Sequence, residues 1–323
     1  MPTKSNSKKR ELRIVFMGTP DFAVKSLDAI YEAGYNVVGV ITAPDRPAGR
    51  GRKIQYSAVK KYSLEKGLPL LQPTNLKDAA FLNELKLLDA NLQVVVAFRM
   101  LPKVVWQMPA YGTFNLHASL LPNYRGAAPI NWAVINGEEE TGITTFMIDE
   151  KIDTGQIILQ EKVPIGKDET AGELHDTLMV QGAYLVVKTI ALIESDTATF
   201  ISQKEAIAIK PAPKIHRDTC KINWNDDLDV IYNHIRGLSP YPTAWTALYN
   251  EENEQLLKLY EVQKENVEHK KPSGALVADK TSLKIAVKNG YISLEKVQLQ
   301  GKRAMSVQEL LNGLKLSKNA YVR

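Results

Sequence analysis

The stretch Leu12–Met17 (LRIVFM) is an apolar run that ends at the turn residues Gly18-Thr19-Pro20, and it decides the fold class. It is followed by apolar residues at helical spacing, namely Phe22, Ala23, Leu27 and Ile30. The whole pattern predicts a strand, a turn and a helix. Similar runs occur at Val37–Ile41 and Leu92–Phe98. Because such runs lack polar alternation, they indicate strands covered on both faces. The pattern predicts an α/β domain with an open, parallel-type sheet.

Further elements divide the chain into two domains. Helices are predicted at 56–67 and 76–88, with a short strand at 68–71 between them. After Ser195 the pattern is irregular and includes Pro211 and Pro213, which predicts a connector. One helix at 226–235 and five short strands follow, at 244–249, 256–263, 275–278, 283–287 and 291–299. They predict a small β-barrel of the oligonucleotide-binding type, although a sandwich also fits. The predicted domains are 1–195 and 216–323, joined by a linker at 196–215.

The composition is that of an ordinary globular protein. Of 323 residues, 44% are hydrophobic and 24% are charged, which excludes a disordered tail, a fibre and a disulfide-stapled miniprotein. The single cysteine, Cys220, cannot form an internal disulfide, which favours a reducing compartment. We find neither a secretory signal nor a long uninterrupted apolar stretch, and we predict a cytoplasmic protein.

The net charge of +5 is unevenly distributed. From Ala208 to the end, Lys and Arg outnumber Asp and Glu by five, which accounts for the whole excess. Such asymmetry indicates an anionic partner, either nucleic acid or a membrane surface. Basic solvated faces are common, so the charge alone leaves this open.

A candidate catalytic group lies in the stretch 111–119 (YGTFNLHAS), whose alternation predicts a strand. A period of two places Asn115, His117 and Ser119 on one face, so that an amide and a titratable imidazole point the same way. They lie near the carboxyl end of the strand, where open α/β sheets bind ligands. The spacing equally fits two polar residues on a solvated face. Asp153 lies in the predicted turn at 149–155 (DEKIDTG). It is either an ordinary turn residue or a group that orients His117 for acid or base chemistry.

Longer motifs resemble a known family. The stretch 115–130 (NLHASLLPNYRGAAPI), together with DTG at 153–155, resembles the folate-dependent formyltransferases. Further stretches resemble the branch of that family that acts on methionyl initiator tRNA: GTPDFA at 18–23, PDRPAGRGRK at 44–53, APKI at 212–215 and IRGLSPYPTAW at 235–245. The likeness extends from about Leu12 almost to the end of the chain.

The resemblance implies a Rossmann-like catalytic domain and formyl transfer from 10-formyltetrahydrofolate to the α-amino group of methionyl initiator tRNA. Asn115 and His117 would donate hydrogen bonds to the formyl oxygen, contributing about 3 kcal/mol each. Asp153 would pair with His117 and help to move protons, and which of the two accepts the amine proton stays open. The folate pocket would comprise the strand end at 95–102 with Leu101 and the loop Ser119, Leu120, Leu121 and Pro122.

The resemblance also implies the tRNA contacts. The basic loop at 43–56 would enter the acceptor end of the tRNA through Arg46, Arg50, Arg52 and Lys53, and the barrel would add sequence-independent affinity through Lys214, Lys302 and Arg303. Without the resemblance, these residues fit a solvated loop and an ordinary surface. The chain departs from the family at Arg99, where members commonly carry Gly. Arg99 would point to solvent or toward the glutamate tail of the folate.

Two other functions fit part of the pattern. A formyltransferase for an amino sugar nucleotide or a glycinamide ribonucleotide would keep Asn115, His117 and Asp153, without both the basic loop and the barrel. A non-catalytic RNA-binding module would have no need of these three side chains.

The histidines are scattered and there is no cysteine cluster, which predicts no metal. We expect initiator tRNA and the folate as partners, and neither a membrane nor an obligate protein partner.

Overall fold

The computed structural model describes residues 9–48, 53–203 and 209–323. The chain falls into two compact units. The first takes the chain up to 126, 141–163 and 175–211, and the second takes 127–140, 164–174 and 212–323. Two short segments within the predicted first domain therefore belong to the second unit. The predicted domain boundaries at 195 and 216 stay predictions.

The elements up to residue 203 alternate between strands and helices. In chain order they are β1 (Arg13–Gly18), α1 (Asp21–Glu32), β2 (Asn36–Ile41), β3 (Arg46–Ala48), β4 (Lys53–Gln55), α2 (Ala58–Glu65), β5 (Leu70–Leu71), α3 (Ala79–Leu87), β6 (Leu92–Val96), α4 (Lys103–Trp106), β7 (Thr113–His117), β8 (Arg125–Gly126), α5 (Pro129–Ile135), β9 (Glu140–Met147), β10 (Ile157–Pro164) and α6 (Ala171–Glu194). The main sheet has the order β10-β9-β7-β6-β1-β2-β5. Strands β7, β6, β1, β2 and β5 pair in parallel, whereas β9 runs antiparallel to β7. The predicted parallel sheet is confirmed for those five strands.

The apolar runs form the strands that were predicted from them. Ile14, Val15, Phe16 and Met17 of β1 are all fully buried, as expected for a strand covered on both faces. Gly18, the last residue of β1, has no room for a side chain: an added Cβ would lie 2.5 Å from Cβ of Ala23 and 3.0 Å from the carbonyl oxygen of Val96. The turn thus brings α1 close to the carboxyl ends of β1 and β6, next to the candidate site.

The second unit contains an almost closed antiparallel barrel, so the predicted barrel is confirmed over the sandwich. The elements after residue 203 are β11 (Pro211–Ala212), a 3₁₀ turn (Asp218–Cys220), α7 (Leu228–Gly237), β12 (Ala244–Asn250), β13 (Asn253–Glu265), β14 (Leu276–Ala278), β15 (Leu283–Val287), β16 (Gly290–Leu299), β17 (Met305–Ser306), α8 (Val307–Gly313) and β18 (Tyr321–Val322). The strand order is β14-β15-β16-β13-β12-β18, and a bridge between Ala275 and Tyr321 joins its two ends. Apolar side chains of these strands and of α7 form one core.

Among the described residues, α6 alone is long and apolar enough to cross a membrane by length and composition. Of its most apolar stretch of 18 residues, 44% is buried inside the protein. The core helix of a soluble protein meets the same criterion, so the helix is a weak indication of a membrane span.

Candidate functional site

Strand β7 places Asn115 and His117 on one face, as the alternation predicts. Asn115 pairs with Val95 of β6 and Phe146 of β9, so the site lies between a parallel and an antiparallel neighbour. Asn115 is half-buried, and His117 is 6% exposed. The amide therefore reaches solvent while the imidazole is held in the protein.

Both ring nitrogens of His117 face oxygen acceptors. Nε2 lies 2.8 Å from the carbonyl oxygen of Tyr124, and Nδ1 lies 3.8 Å from Oδ2 of Asp153. Because a carbonyl oxygen only accepts, the partner assigns the proton to Nε2. Nδ1 is then the ring nitrogen without a proton in the neutral imidazole, and it faces the carboxylate of Asp153. The structure brings together His117 and Asp153, which are far apart in sequence.

The carboxylate of Asp153 is held by the loop that also holds His117. Its Oδ2 accepts a hydrogen bond of 2.9 Å from the backbone N–H of Gly126. Tyr124 and Gly126 were not predicted as site residues, because their main-chain atoms make these contacts. They lie inside the motif at 115–130, which was the available signal.

Three non-glycine residues around the site adopt left-handed backbone conformations. Their φ angles are 46° at Ala97, 61° at Tyr124 and 54° at Asp153. Such conformations cost of order 1–3 kcal/mol each and cluster at functional sites. Ala97 follows β6 directly, while the other two residues contact His117. The surrounding contacts therefore hold the site in a specific, strained geometry.

The loop predicted to bind folate is internally bonded. The hydroxyl of Ser119 is fully buried and donates 2.7 Å to the carbonyl oxygen of Asn123, and Gln160 donates 3.0 Å to the carbonyl oxygen of Leu121. Leu101 and Leu121 are buried, whereas Leu120 and Pro122 are half-buried. Ser119 thus supports the loop from within, and the binding roles of these residues stay predictions.

The residues present fit a pterin-containing co-substrate. Past the carboxyl end of β6, Phe98 is half-buried and Met100 is 71% exposed, so apolar surface is available to a flat ring. Over residues 9–48, 53–203 and 209–323, the Asn115 amide makes no hydrogen bond and keeps its donor and acceptor atoms for a ligand. An apolar surface past the end of β6 and an amide without a hydrogen bond on the neighbouring strand β7 suit a ring with polar edges.

Arg99 is bound to the protein surface. Its guanidinium donates 2.9 Å to the carbonyl oxygen of Thr74, donates also to that of Pro73, and lies 5.6 Å from the ring centre of Phe98. Partial burial and then the positive charge of Arg46 lower the pKa of Arg99. Arg99 is thus exposed to solvent while the carbonyl groups of residues 73 and 74 bind its guanidinium, and a contact with the folate tail stays a prediction.

The basic loop contains a short hairpin of β3 and β4, whose base is polar and well bonded. Nζ of Lys60 lies 2.5 Å from Oδ2 of Asp45 and 2.8 Å from Oε1 of Gln72. Hydrogen bonds from Gln72 and Lys60 lower the pKa of Asp45. Arg46 is exposed in β3, and Lys53 begins β4. Arg50 and Arg52 lie outside the described residues.

The predicted basic residues of the second unit are exposed. They are Lys214, Lys302 and Arg303, of which Arg303 forms an ion pair of 2.8 Å with Glu309. No cluster of three His, Cys, Asp or Glu side chains suited to a metal ion occurs in the described part of the chain. The expected absence of a metal and the tRNA contacts stay predictions.

Family models cover both halves of the sequence. Residues 12–204 match the model described as formyl transferase, and residues 214–315 match the formyl transferase C-terminal domain. The chain belongs to the formyl transferase family. The resemblance inferred from the motifs is thus confirmed.

The similar proteins define the branch more closely. The methionyl-tRNA formyltransferase of Flavobacterium johnsoniae is 57% identical over 312 residues, which are 97% of this chain and 99% of that protein. That of Bacteroides thetaiotaomicron is 55% identical over 315 residues, covering 96% and 98%. Among solved structures, an N-formyltransferase from Helicobacter canadensis in complex with folinic acid and dTDP-3-aminofucose has a TM-score of 0.63 at 22% identity, covering 88% of this chain and 98% of its own. That structure shows the shared fold.

Proposed function

We propose that the protein transfers a formyl group from 10-formyltetrahydrofolate to the α-amino group of methionyl initiator tRNA, giving the formylated tRNA for translation initiation. The observation that carries this proposal is the identity of 53–57% to several methionyl-tRNA formyltransferases, over nearly the full length of both chains. The catalytic and C-terminal family models both match. The protein is therefore an enzyme, and the folate is its co-substrate.

The proposed role of Asn115 is to stabilise charge on the formyl oxygen. Bound beside β7, 10-formyltetrahydrofolate supplies the formyl carbon that the amine attacks. The backbone of Asn115 is paired with two neighbouring strands, and its half-buried side-chain amide has no hydrogen-bond partner among the described residues. A donor fixed in advance needs no reorganisation when charge develops, which makes it worth about 3 kcal/mol.

The proposed role of His117 and Asp153 is to move a proton from the attacking amine to the folate nitrogen that carries the formyl group. That nitrogen leaves as part of tetrahydrofolate when its bond to the formyl carbon breaks. The bond from Nε2 to the carbonyl oxygen of Tyr124 leaves Nδ1 for this exchange, with Asp153 3.8 Å away to stabilise the charged ring. No covalent enzyme intermediate is needed. Cys220 is buried, and burial raises the pKa of its thiol, which makes it a poor nucleophile.

The remaining assignments concern binding. We propose that the 95–102 strand end and the 119–122 loop hold the folate, and that Arg46 and the exposed basic residues of the barrel contact tRNA phosphates. Exposure of Arg46, Lys214 and Lys302 supports the second assignment. The cytoplasm is the proposed place of action, in keeping with translation enzymes as relatives. That neither a membrane nor an obligate protein partner is needed stays a prediction.

The experiment offers three acceptors separately with 10-formyltetrahydrofolate: methionyl initiator tRNA, an amino sugar nucleotide and glycinamide ribonucleotide. Formylation is followed by mass spectrometry with the wild-type protein, His117→Ala and Asp153→Asn. We expect the tRNA to be formylated, with kcat lowered by about 10²–10⁴-fold in both variants. Formylation of a small amine alone would refute the tRNA assignment, and wild-type rates in both variants would refute the proton-transfer roles.

A further inference from the structure

The side chain of Gln203 links the two backbone segments that hold His117 and Asp153. Its Nε2 donates 2.9 Å to the carbonyl oxygen of Asp153 and 2.8 Å to that of Gly155. Its Oε1 accepts from Arg125, 3.2 Å from Nε and 2.6 Å from Nη2. The partners fix the amide orientation, because carbonyl oxygens lie on one side and a guanidinium on the other.

Both ends of this link are next to the catalytic pair. Arg125 stands between Tyr124, whose carbonyl oxygen contacts His117, and Gly126, whose N–H binds the Asp153 carboxylate. At the other end, Nε2 of Gln203 binds the main chain of Asp153 itself. One side chain therefore spans from the loop that orients the imidazole to the turn that carries the carboxylate.

The turn at 153–155 needs such support. Asp153 has a φ of 54°, a conformation that a non-glycine residue keeps only when its surroundings hold it. Gly155 packs so closely that an added Cβ would lie 1.6 Å from the carbonyl oxygen of Met147. The carbonyl groups of both residues point to the same amide, so the loss of Gln203 would release the strained residue.

We propose that Gln203 is a positioning residue for formyl transfer: by binding the carbonyl oxygens of Asp153 and Gly155, it sets the place of the Asp153 carboxylate relative to His117. Gln203 lies in the segment predicted as a linker, and none of the predicted site residues included it. The proposal rests on the proposed function for its kinetic consequence only. Its structural consequence, the placement of the carboxylate, can be measured in the protein alone.

The two test variants are Gln203→Met, which removes all four hydrogen bonds, and Gln203→Glu, which keeps an acceptor for Arg125 and loses both donors. The matched control is Ser202→Ala, at an exposed neighbour that takes no part in these bonds. We expect kcat to fall by about 10–100-fold in both Gln203 variants, with KM for tRNA and folate within about threefold of wild type. Ser202→Ala should match the wild type.

A double-mutant cycle separates positioning from a general loss of structure. If Gln203 acts through Asp153, Gln203→Met in an Asp153→Asn background should lower kcat by less than about threefold further. A full 10–100-fold additional loss would overturn the proposal, as would a Gln203→Glu variant with the wild-type kcat. In the latter case the hydrogen bonds from Arg125 to the side chain of residue 203 would matter, and the bonds to the turn at Asp153 would not.

A second readout needs no substrate. The amide proton resonance of Gly126 reports its hydrogen bond to the Asp153 carboxylate, and Asp153→Ala gives its position without that bond. We expect the resonance in Gln203→Met and Gln203→Glu to move toward that position, while the temperature of thermal unfolding of the protein stays unchanged. An unmoved resonance would overturn the proposal even if wild-type formylation is observed. If wild-type protein does not formylate methionyl-tRNA, the proposed function fails, and this measurement still tests the positioning.

Discussion

Replacing Asn115 by Ala should lower the rate of formyl transfer without lowering stability much. In the described structure, the amide has no internal hydrogen bond and is half-buried, so its truncation leaves no buried partner unpaired. The cost to folding should therefore stay below about 1 kcal/mol. Loss of one fixed donor to the developing charge should cost about 2.7–4 kcal/mol, a fall of about 10²–10³-fold in kcat.

The assay measures initial rates of methionyl-tRNA formylation at saturating folate and tRNA, together with thermal unfolding. Asn36→Ala is the matched control, because Asn36 is an exposed residue of the same type that begins strand β2 of the same sheet, with β6 and β1 between it and β7. Asn115→Asp should be slower still, since it sets a negative charge beside developing negative charge. A kcat for Asn115→Ala within about threefold of wild type would refute the reasoning, because a donor worth so little cannot stabilise the transition state.

Three further predictions concern tRNA affinity, pH and packing. Arg46→Ala should raise KM for tRNA. It should also make the dependence of tRNA affinity on salt concentration less steep, by the amount that corresponds to about one phosphate contact, and an unchanged slope would count against that contact. Burial lowers the pKa of His234 in the folded protein. The contribution of His234 to the free energy of unfolding is therefore present above the ordinary histidine pKa, and it is lost as the pH falls through the pKa of the folded state. Denaturant titrations from pH 7 to 5 should show a steeper loss in wild type than in His234→Asn, by at most about 1.4 kcal/mol per pH unit, and parallel curves would contradict this. Leu257→Ala, at a fully buried barrel position, should destabilise the second unit by about 2–5 kcal/mol in urea unfolding, and a loss below that range would show that the core collapses around the cavity.

The parallel strands and the catalytic strand could be predicted because their periodicity is strong. Phe114 and Leu116 alternate with Asn115 and His117 in sequence, and the structure forms the predicted strand as β7, in which every position except Asn115 is buried. Strand β9 (Glu140–Met147) was missed because its buried positions include threonines, which break an apolar pattern. The hydroxyl of Thr144, for example, donates 2.6 Å to the carbonyl oxygen of Ser119 and is satisfied inside the protein. Burial of polar residues by such long-range bonds is invisible to periodicity.

Local signals were also overlooked. No helix was predicted at 129–135, although Pro129 opens the helix α5, a position that proline favours. The link through Gln203 could not be predicted, because its partners lie about 50 and 78 residues away and two of them are main-chain carbonyls. The orientation of Arg99 depends in the same way on carbonyl groups of a separate segment. A hydrogen bond from a side chain to a distant main-chain atom produces no recognisable spacing of residue types in the sequence.

The most direct test of the central claim is the initial rate of formylation of methionyl initiator tRNA by the purified wild-type protein with 10-formyltetrahydrofolate. Elongator tRNA charged with methionine is the control, and Asp153→Asn is assayed in parallel. We predict formylation of the initiator tRNA in strong preference to the elongator, with the rate in Asp153→Asn lowered by about 10²-fold or more. No formylation of either tRNA would contradict the account, and equal rates for wild type and Asp153→Asn would contradict its catalytic site.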